Sequence, residues 1–324
     1  MTPVPIQPIR VLPGAISTLV MRAMLNQCTT HGPTEKGPFL LVSSLHVYPI
    51  KSAGGLTLPA IKVEKWGPFG DRRWMLVDGD GVLISARQEP RLFVVTAEPE
   101  SDSLDAPIDP NDILVVRGPH AEPLRLVPPS PPFERIQVRL HRDRLEATLV
   151  SPQADAWFGS LLGRTDVRLV WMDDPATRRP VDPLYSDPTD RVGFADGFPL
   201  LITTLASLRQ LNEWIVADAS QRGEEVAPMT MQRFRPNLVI DDLDEPFVED
   251  HWKRIQIGDV VFRVVKPCLR CIMTTIEPNT LAKGKEPLRT LARHHKWNGG
   301  ATFGMNITPD HEGVIRVGDG IRVL

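Results

Sequence analysis

Cysteine is scarce in this 324-residue chain, which contains only Cys28, Cys268 and Cys271. Secreted domains that depend on disulfides are rich in cysteine and usually carry an even number of them. Three cysteines in a chain of this length therefore argue against a disulfide framework. We expect a protein of a reducing compartment, such as the cytoplasm.

Long apolar runs are also missing. The best candidate, residues 15–25, is shorter than the roughly 20 residues that a membrane-spanning helix needs, and Arg22 interrupts it. We therefore expect no transmembrane segment. Residues 1–34 contain no Asp or Glu and include Arg10 and Arg22, as organelle transit peptides do, although the prolines at positions 3, 5, 8 and 13 argue against one. We predict a loosely ordered extension over residues 1–40, with mitochondrial targeting as the alternative.

A strong excess of charge of either sign is absent, since the formal net charge is −3 and the sequence pI is about 6.3. Domains that bind nucleic acid usually carry a basic field over one face. We therefore expect no nucleic-acid partner. Any anion must bind at a local cluster of cations rather than in a field of the whole protein.

Proline is abundant instead, with 32 residues in the chain. The ordinary share is about 5%, so this excess indicates many turns, loops and strand edges. Short apolar or alternating runs at residues 45–50, 74–77 and 92–97 are typical of antiparallel strands. Asp78-Gly79-Asp80-Gly81 follows the second run and predicts a hairpin turn.

Two segments predict helices. In residues 151–162, Ser151 can cap the first turn, Pro152 fits its start and Gly163 can end the helix. Residues 203–218 place Leu, Trp and Ile at helical spacing on one apolar face. Between these helices, the Pro-, Asp- and Arg-rich residues 173–190 are a loop by composition.

The last third of the chain predicts hairpins. Residues 255–257 and 260–265 are joined by Gly258-Asp259, and residues 314–317 and 321–324 are joined by Gly318-Asp319-Gly320. Strands and helices do not alternate as they do in doubly wound folds. We predict a mixed β fold with a few helices, built around β-barrels.

Cys268-Leu269-Arg270-Cys271 directly follows the predicted strand 260–265. A structural zinc site needs about four ligands, and neither a second cysteine pair nor suitably spaced histidines is present. A thioredoxin-like pair needs a helix at its first cysteine, and the β-branched run 272–276 disfavours one. Inert buried thiols remain the plain alternative. Arg270 favours a thiolate at Cys271, which is the form that binds a metal.

Cations that could bind an anion are spread along the chain, and neither a P-loop nor a dinucleotide fingerprint accompanies them. Taken singly, each is more often a solvated surface charge than part of a site. The residues alone indicate a candidate metal thiolate and several candidate anion sites. The cations are Lys51, Arg72, Arg73, Arg87, Arg233 and Arg235.

Six segments, in order along the chain, resemble the MOSC family. Its N-terminal β-barrel domain is similar to residues 45–52 (Leu-His-Val-Tyr-Pro-Ile-Lys-Ser), 70–74 (Gly-Asp-Arg-Arg-Trp) and 86–92 (Ala-Arg-Gln-Glu-Pro-Arg-Leu). Its MOSC domain is similar to residues 234–237 (Phe-Arg-Pro-Asn), 268–271 (Cys-Leu-Arg-Cys) and 303–304 (Phe-Gly). The resemblance implies an N-terminal β-barrel domain over residues 41–165 and a MOSC β-barrel domain over residues 166–324.

The resemblance also implies a pterin-based molybdenum cofactor between the two domains, with the thiolate of Cys271 on the metal. It assigns the phosphate and pterin of that cofactor to Lys51, Ser52, Arg72, Arg235 and Asn237, whose side chains suit charge-assisted and neutral hydrogen bonds. Arg270 and the segment Asp196-Gly197-Phe198 are carried over as further cofactor-binding residues. At that segment this chain departs from relatives, which carry small hydroxyl residues after the aspartate. Contacts there would come from Asp196 or from the backbone.

The implied activity is reduction of N-hydroxylated substrates such as amidoximes, hydroxylamines and N-oxides, with Cys271 as a metal ligand at the catalytic centre. A role like that of molybdenum cofactor sulfurases, or that of a cofactor carrier, is the alternative. Ferredoxin-type clusters take about four cysteines, and the sequence ends at Leu324 without a ferredoxin-like domain or a dinucleotide fingerprint. We therefore expect electrons to come from a separate cytochrome b5-type or ferredoxin-type protein with its reductase.

Overall fold

The structure is a computed structural model that describes residues 40–100, 109, 112–241 and 243–324. Cys28 lies outside these residues, and so does the extension predicted for residues 1–40, apart from Leu40, which begins the first strand.

Strands predominate among the described residues. They are β1 (Leu40–Val47), β2 (Leu56–Leu58), β3 (Ala60–Glu64), β4 (Gly67–Pro68), β5 (Trp74–Val77), β6 (Thr96–Pro99), β7 (Leu114–Arg117), β8 (Leu124–Leu126), β9 (Arg135–Leu140), β10 (Asp143–Leu149), β11 (Arg168–Trp171), β12 (Leu200–Thr204), β13 (Leu238–Asp241), β14 (Arg254–Ile257), β15 (Val260–Leu269), β16 (Lys296–Trp297), β17 (Gly300–Pro309), β18 (Gly313–Arg316) and β19 (Gly320–Val323). The α-helices are α1 (Pro152–Leu162), α2 (Pro175–Arg178), α3 (Leu205–Ser220) and α4 (Leu288–His294). Short 3-10 helices occupy Pro90–Val94, Met231–Phe234, Val248–His251 and Ile272–Thr275.

Seven strands close into a barrel in the order β12, β13, β1, β19, β14, β15 and β17, and β17 pairs back with β12. Only the β12–β13 pair in this barrel is parallel. Along β1 the buried positions change phase between Val42 and Leu45, where a bulge shifts the register against β13. The prediction of a mixed β fold with a barrel is confirmed.

The remaining sheets come mainly from the first half of the chain. One holds β5, β11, β10 and β9, another holds β6, β7 and β8, and α1 packs against an apolar core beside them. The halves are interleaved, because β1 is a barrel strand and β3 pairs with β18. Strands from both sides of residue 165 therefore share sheets.

Both predicted helices are present. Helix α1 begins after Ser151, whose hydroxyl accepts a hydrogen bond from the backbone N–H of Ala154, and it ends at Gly163 in the left-handed conformation. Helix α3 begins after Thr204, whose hydroxyl accepts a bond from the N–H of Ser207. The segment 173–190 is mostly loop, as predicted, and contains only the short α2.

Two strand predictions were wrong in detail. Residues 92–97 begin inside the 3-10 helix Pro90–Val94 and become strand β6 only at Thr96, because Pro90 starts a helical turn that buries Leu92 and Phe93. The second predicted C-terminal hairpin does not form, since β18 pairs with β3 while β19 pairs with β1 and β14. The N–H of Gly318 donates to the carbonyl of Val42 on β1. The chain then enters the barrel sheet as β19.

The predicted turn at residues 78–81 is confirmed. The carboxylate of Asp78 accepts hydrogen bonds from the N–H groups of Asp80 and Val82, and Val77 bridges to Leu83 on the far side of the turn. In the described part of the chain, no helix is both long and apolar enough to cross a membrane.

Candidate cofactor-binding site

One cavity of about 310 Å³ brings together the ten residues that the family resemblance assigned to a cofactor site. These residues come from the turn after β1, the turn before β5, the loop before β12, the segment before β13 and the end of β15. Distant parts of the chain thus meet at one place. The ten residues are Lys51, Ser52, Arg72, Asp196, Gly197, Phe198, Arg235, Asn237, Arg270 and Cys271.

The ring of Tyr48 contacts the guanidinium groups of two arginines that line the cavity. The guanidinium carbon of Arg72 is 4.4 Å from the ring centroid, and that of Arg235 is 4.2 Å from it. The phenol donates a hydrogen bond to the carbonyl of Pro236 at 3.0 Å, and burial raises the pKa of Tyr48 to about 12. The electron-rich face of the ring attracts both cations.

A carboxylate and an amide hold Arg72 in place. Asp71, whose side chain is 3% exposed, accepts a 2.6 Å hydrogen bond from Arg72 and a 2.8 Å bond from the N–H of Tyr48. The amide of Asn237 accepts from Arg72 at 3.2 Å and donates to the carbonyl of His46 at 3.1 Å. Asn237 therefore binds protein on both sides and acts here by orienting Arg72.

Arg235 and Ser52 occupy turns with left-handed backbone, at φ 53° and φ 71°. The guanidinium of Arg235 donates to the carbonyl of Ala53 at 2.6 Å. Burial lowers the pKa of Arg235 to about 10, so the group is still protonated at neutral pH. The hydroxyl of Ser52 has no hydrogen-bond partner among the described residues, which leaves it free for a ligand.

Lys51 is paired with Asp196. Its ammonium lies 2.6 Å from the Asp196 carboxylate and also donates to the carbonyl of Phe194 at 2.7 Å. The Lys51 ammonium holds the pKa of Asp196 well below its usual range, and His141 adds a 3.2 Å contact to the same oxygen. Asp196 is 63% exposed, so an incoming anion could replace it at Lys51.

The two cysteines that line the cavity, Cys268 and Cys271, are both free thiols and partly buried. Arg270 donates to the sulfur of Cys268 at 2.9 Å and to the carbonyl of Phe234 at 2.6 Å. The sequence predicted that Arg270 favours a thiolate at Cys271. In the structure its guanidinium instead points back along the strand and bonds to the sulfur of Cys268, so the predicted partner was wrong. The sulfur of Cys271 has no hydrogen-bond partner among the described residues.

The backbone after Cys271 also differs from the expectation. The β-branched run was predicted to disfavour a helix start, yet Ile272–Thr275 form one 3-10 turn with Cys271 as its N-cap residue. The hydroxyl of Thr274 donates to the carbonyl of Cys271 at 2.9 Å, which stabilises the turn. A single turn costs little side-chain entropy, so β-branched residues can form it here.

Two cations considered at the sequence level do not line the cavity. Arg73 is buried elsewhere and donates twice to the carbonyl of Met172, at 3.0 and 2.6 Å. Arg87 is exposed on the surface.

Other residues of the site were not singled out. Lys266 lines the cavity, and its ammonium lies 4.3 Å from the ring centroid of Tyr185 and 5.2 Å from that of Phe198. Arg179 is buried beneath the site and donates to the carbonyls of Gly193 and Asp196 at 3.2 and 2.6 Å. Tyr48 and Asp71 lie inside segments that carried the family resemblance, and this position could have indicated that they belong to the site. Arg179 lies in a loop and gave none.

The donors suit an anionic ligand that also takes a thiolate. Six cations and one carboxylate line the cavity, and the buried Nε atoms of Arg233 and Arg270 have no partner in the described structure. Such buried donors favour a ligand that accepts hydrogen bonds. No group of three or more His, Cys, Asp or Glu side chains that could hold a metal occurs in the described ranges. The cations are Lys51, Arg72, Arg233, Arg235, Lys266 and Arg270.

Models of two domains match the chain in sequence. The MOSC N-terminal beta barrel domain matches residues 39–165, and the MOSC domain matches residues 189–322. The chain therefore belongs to the MOSC family.

The curated relatives narrow this class. Mitochondrial amidoxime-reducing component 1 of Mus musculus is 30% identical over 301 residues, which cover 87% of this chain and 82% of the relative. Mitochondrial amidoxime reducing component 2 of Rattus norvegicus is 31% identical over 296 residues, with 86% and 81% covered. Component 1 of Homo sapiens is 29% identical over 300 residues, with 87% and 82% covered.

Proposed function

We propose that this protein is a molybdenum-cofactor-dependent reductase of N-hydroxylated compounds, such as amidoximes, hydroxylamines and N-oxides. The observation that carries the proposal is the convergence of the ten residues on one cavity, which several cations and the Cys271 thiol line together. The names of the relatives, amidoxime-reducing components, point to the same substrate class.

The cavity residues divide the work of holding such a cofactor. Lys51, Arg72 and Arg235 would make charge-assisted bonds to its phosphate, and the free hydroxyl of Ser52 would add a neutral bond. Asp71 and Asn237 keep Arg72 oriented before any ligand arrives. Because these donors are fixed in advance, binding costs little side-chain ordering.

Cys271 would be the protein ligand to the metal. Its sulfur makes no hydrogen bond to the described residues, and a thiolate is the form of cysteine that binds a metal. The bound cofactor would supply two-electron chemistry at an N–O bond, and the protein would supply the ligand, pocket and polarity. Cys268, whose sulfur receives the Arg270 guanidinium, would not be a ligand.

Electrons would come from another protein, since the three cysteines of this sequence cannot both ligate molybdenum and build a ferredoxin-type cluster. A cytochrome b5-type or ferredoxin-type carrier with its reductase fits this need. A mitochondrial location is proposed from the names of the relatives, with the cytoplasm as the alternative.

The test is metal and pterin analysis of the purified protein, followed by reduction of benzamidoxime with NADH, carrier and reductase. We expect about one molybdenum per chain and turnover only when the carrier is present. Absence of molybdenum and pterin would contradict the proposal. Bound cofactor without turnover would favour a carrier protein, and sulfuration of the cofactor without reduction would favour a sulfurase-like role.

A further inference from the structure

Two large apolar side chains beside Cys271 are exposed to solvent. Leu269 ends β15 and is 50% exposed, and Ile272 begins the 3-10 turn and is 58% exposed. They lie on either side of the Cys271 thiol in the sequence. Isolated exposed apolar residues are common, but a pair that brackets a reactive centre is a candidate contact for a partner.

Exposed lysines lie on segments whose backbone pairs with the residues around Cys271 or with their neighbours. Lys283 forms a bridge with Ile276, and the N–H of Gly284 donates to the carbonyl of Thr275 at 3.0 Å. Lys296 pairs with Ala301, whose carbonyl accepts from the N–H of Arg270 at 2.8 Å. Lys283, Lys285 and Lys296 are exposed and form no ion pair with any residue of the described chain.

The local charge is opposite to that of the whole protein. Residues 266–297 contain seven Lys or Arg and two Asp or Glu, a formal +5 in a chain of −3. The two acids are already paired, Glu277 with Arg233 and Glu286 with Arg289. The lysine charges around the loop are therefore not cancelled locally.

We propose that Leu269, Ile272, Lys283, Lys285 and Lys296 form the docking surface for an acidic, one-electron carrier protein. We call these five residues the docking surface. The lysines would steer an acidic partner, and the apolar pair would form the central contact next to Cys271. This inference rests on the proposed function, since only a reductase needs an electron carrier at this place.

The stoichiometry requires a short-lived complex. Reduction of R–NH–OH to R–NH2 breaks one N–O bond, consumes two electrons and two protons, and releases water. A one-electron carrier must therefore dock and leave twice in each turnover, with protons supplied by solvent. A small apolar contact surrounded by solvated charges suits fast association and fast release.

A binding titration tests the docking surface without relying on catalysis. We would titrate the holoprotein with an acidic cytochrome b5 and, separately, with an acidic ferredoxin, at low and high ionic strength. The double variant Lys283→Glu/Lys285→Glu should weaken binding about tenfold at low salt, because it reverses two steering charges. The control Lys65→Glu/Lys253→Glu makes the same charge change at exposed lysines outside the docking surface and should bind as the wild type does.

The inference is overturned if both double variants bind equally, if salt has no effect, or if the wild type binds neither carrier. A second readout separates it from the proposed function. With reduced methyl viologen, a small electron donor, the lysine variants should reduce benzamidoxime at the wild-type rate. If the wild type also fails with methyl viologen, the proposed function fails, while the titration still decides whether the docking surface exists.

Discussion

Two parts of the cavity lining are built differently: the part around Arg72 and Arg235, which we call the cation end, and the part around Cys271, which we call the thiol end. At the cation end, Arg72, Arg235 and Tyr48 are packed against one another and bonded to buried groups, including Asp71 and the carbonyl of Ala53. At the thiol end, Cys271 has no hydrogen-bond partner among the described residues. There, the neighbouring Ile272 is exposed.

The difference assigns binding of the cofactor anion to the cation end and the reaction with substrate to the thiol end. Buried, pre-oriented cations can bind an anion with little reorganisation, but they are costly to disturb because each removal leaves a buried partner unsatisfied. An accessible thiol end leaves room for substrate and for an electron donor. Substitutions at the thiol end should therefore change activity, whereas substitutions at the cation end should change cofactor content and stability together.

The largest effect is expected at the thiol end. Cys271→Ala should abolish benzamidoxime reduction, because it removes the only protein ligand that we assign to the metal. Cys268→Ala should keep a substantial part of the activity, since its sulfur bonds to Arg270. The measurement is the rate per chain, with thermal unfolding to check the fold. Equal and total loss in both variants would favour a paired dithiol, and full activity of Cys271→Ala would refute the assignment.

At the cation end, Lys51→Ala, Arg72→Ala and Arg235→Ala should each lower molybdenum content about tenfold or more, since a charge-assisted hydrogen bond is worth about 1.5–3 kcal/mol. Arg72→Ala should also lower the free energy of unfolding most, because it leaves the buried Asp71 carboxylate without its cation.

The matched control for these variants is Arg87→Ala, since Arg87 is exposed and lies outside the cavity. Arg73 would be a poor control because its two bonds to the Met172 carbonyl are buried. Unchanged molybdenum content in all three cation variants would show that the mapped pocket is wrong.

Acid should lower the stability of the folded protein through the imidazole of His46, which contacts the hydroxyls of Ser44 and Thr57 at 2.9 and 3.1 Å. Burial lowers the pKa of His46 to about 4 from its ordinary 6.5. Between these pH values the unfolded chain binds a proton that the folded protein does not, so stability is lost as pH falls. The free energy of unfolding should decrease by about 3 kcal/mol over this range.

The measurement is chemical unfolding at several pH values from 7 to 4. His46→Gln should show a smaller dependence on pH, whatever its stability at neutral pH. A variant with the wild-type slope would mean that other groups cause the loss.

The smallest effect is expected far from both ends. Ser151→Ala removes the hydroxyl that caps α1 and should cost about 1 kcal/mol of unfolding free energy. It should not change molybdenum content or activity, since α1 does not line the cavity. A fall in cofactor content in this variant would show that general destabilisation lowers occupancy, and the results at the cation end would then need correction for stability.

Local patterns in the sequence determined the elements that rest on local physics. Capping residues and apolar spacing located α1 and α3 within two residues at their starts, and glycine-containing turns located the β14–β15 hairpin. The family segments contain seven of the ten residues predicted for the site, and the other three belong to the separate segment Asp196-Gly197-Phe198. No local pattern showed that the predicted C-terminal hairpin would not form. Its turn residues Gly318 and Asp319 bond to the backbone of Val42, which is distant in the sequence.

Only the tertiary structure decided how those residues work together. The sequence places Arg270 next to Cys271, yet the strand geometry directs its guanidinium to Cys268. The ring of Tyr48 contacts the guanidinium groups of two arginines that are more than 160 residues apart in the sequence, and Arg179 donates from a loop to the carbonyl of Asp196. Such contacts depend on which strands close the barrel and how loops pack over it. Long-range packing sets these distances, and a motif read along the chain carries no information about them.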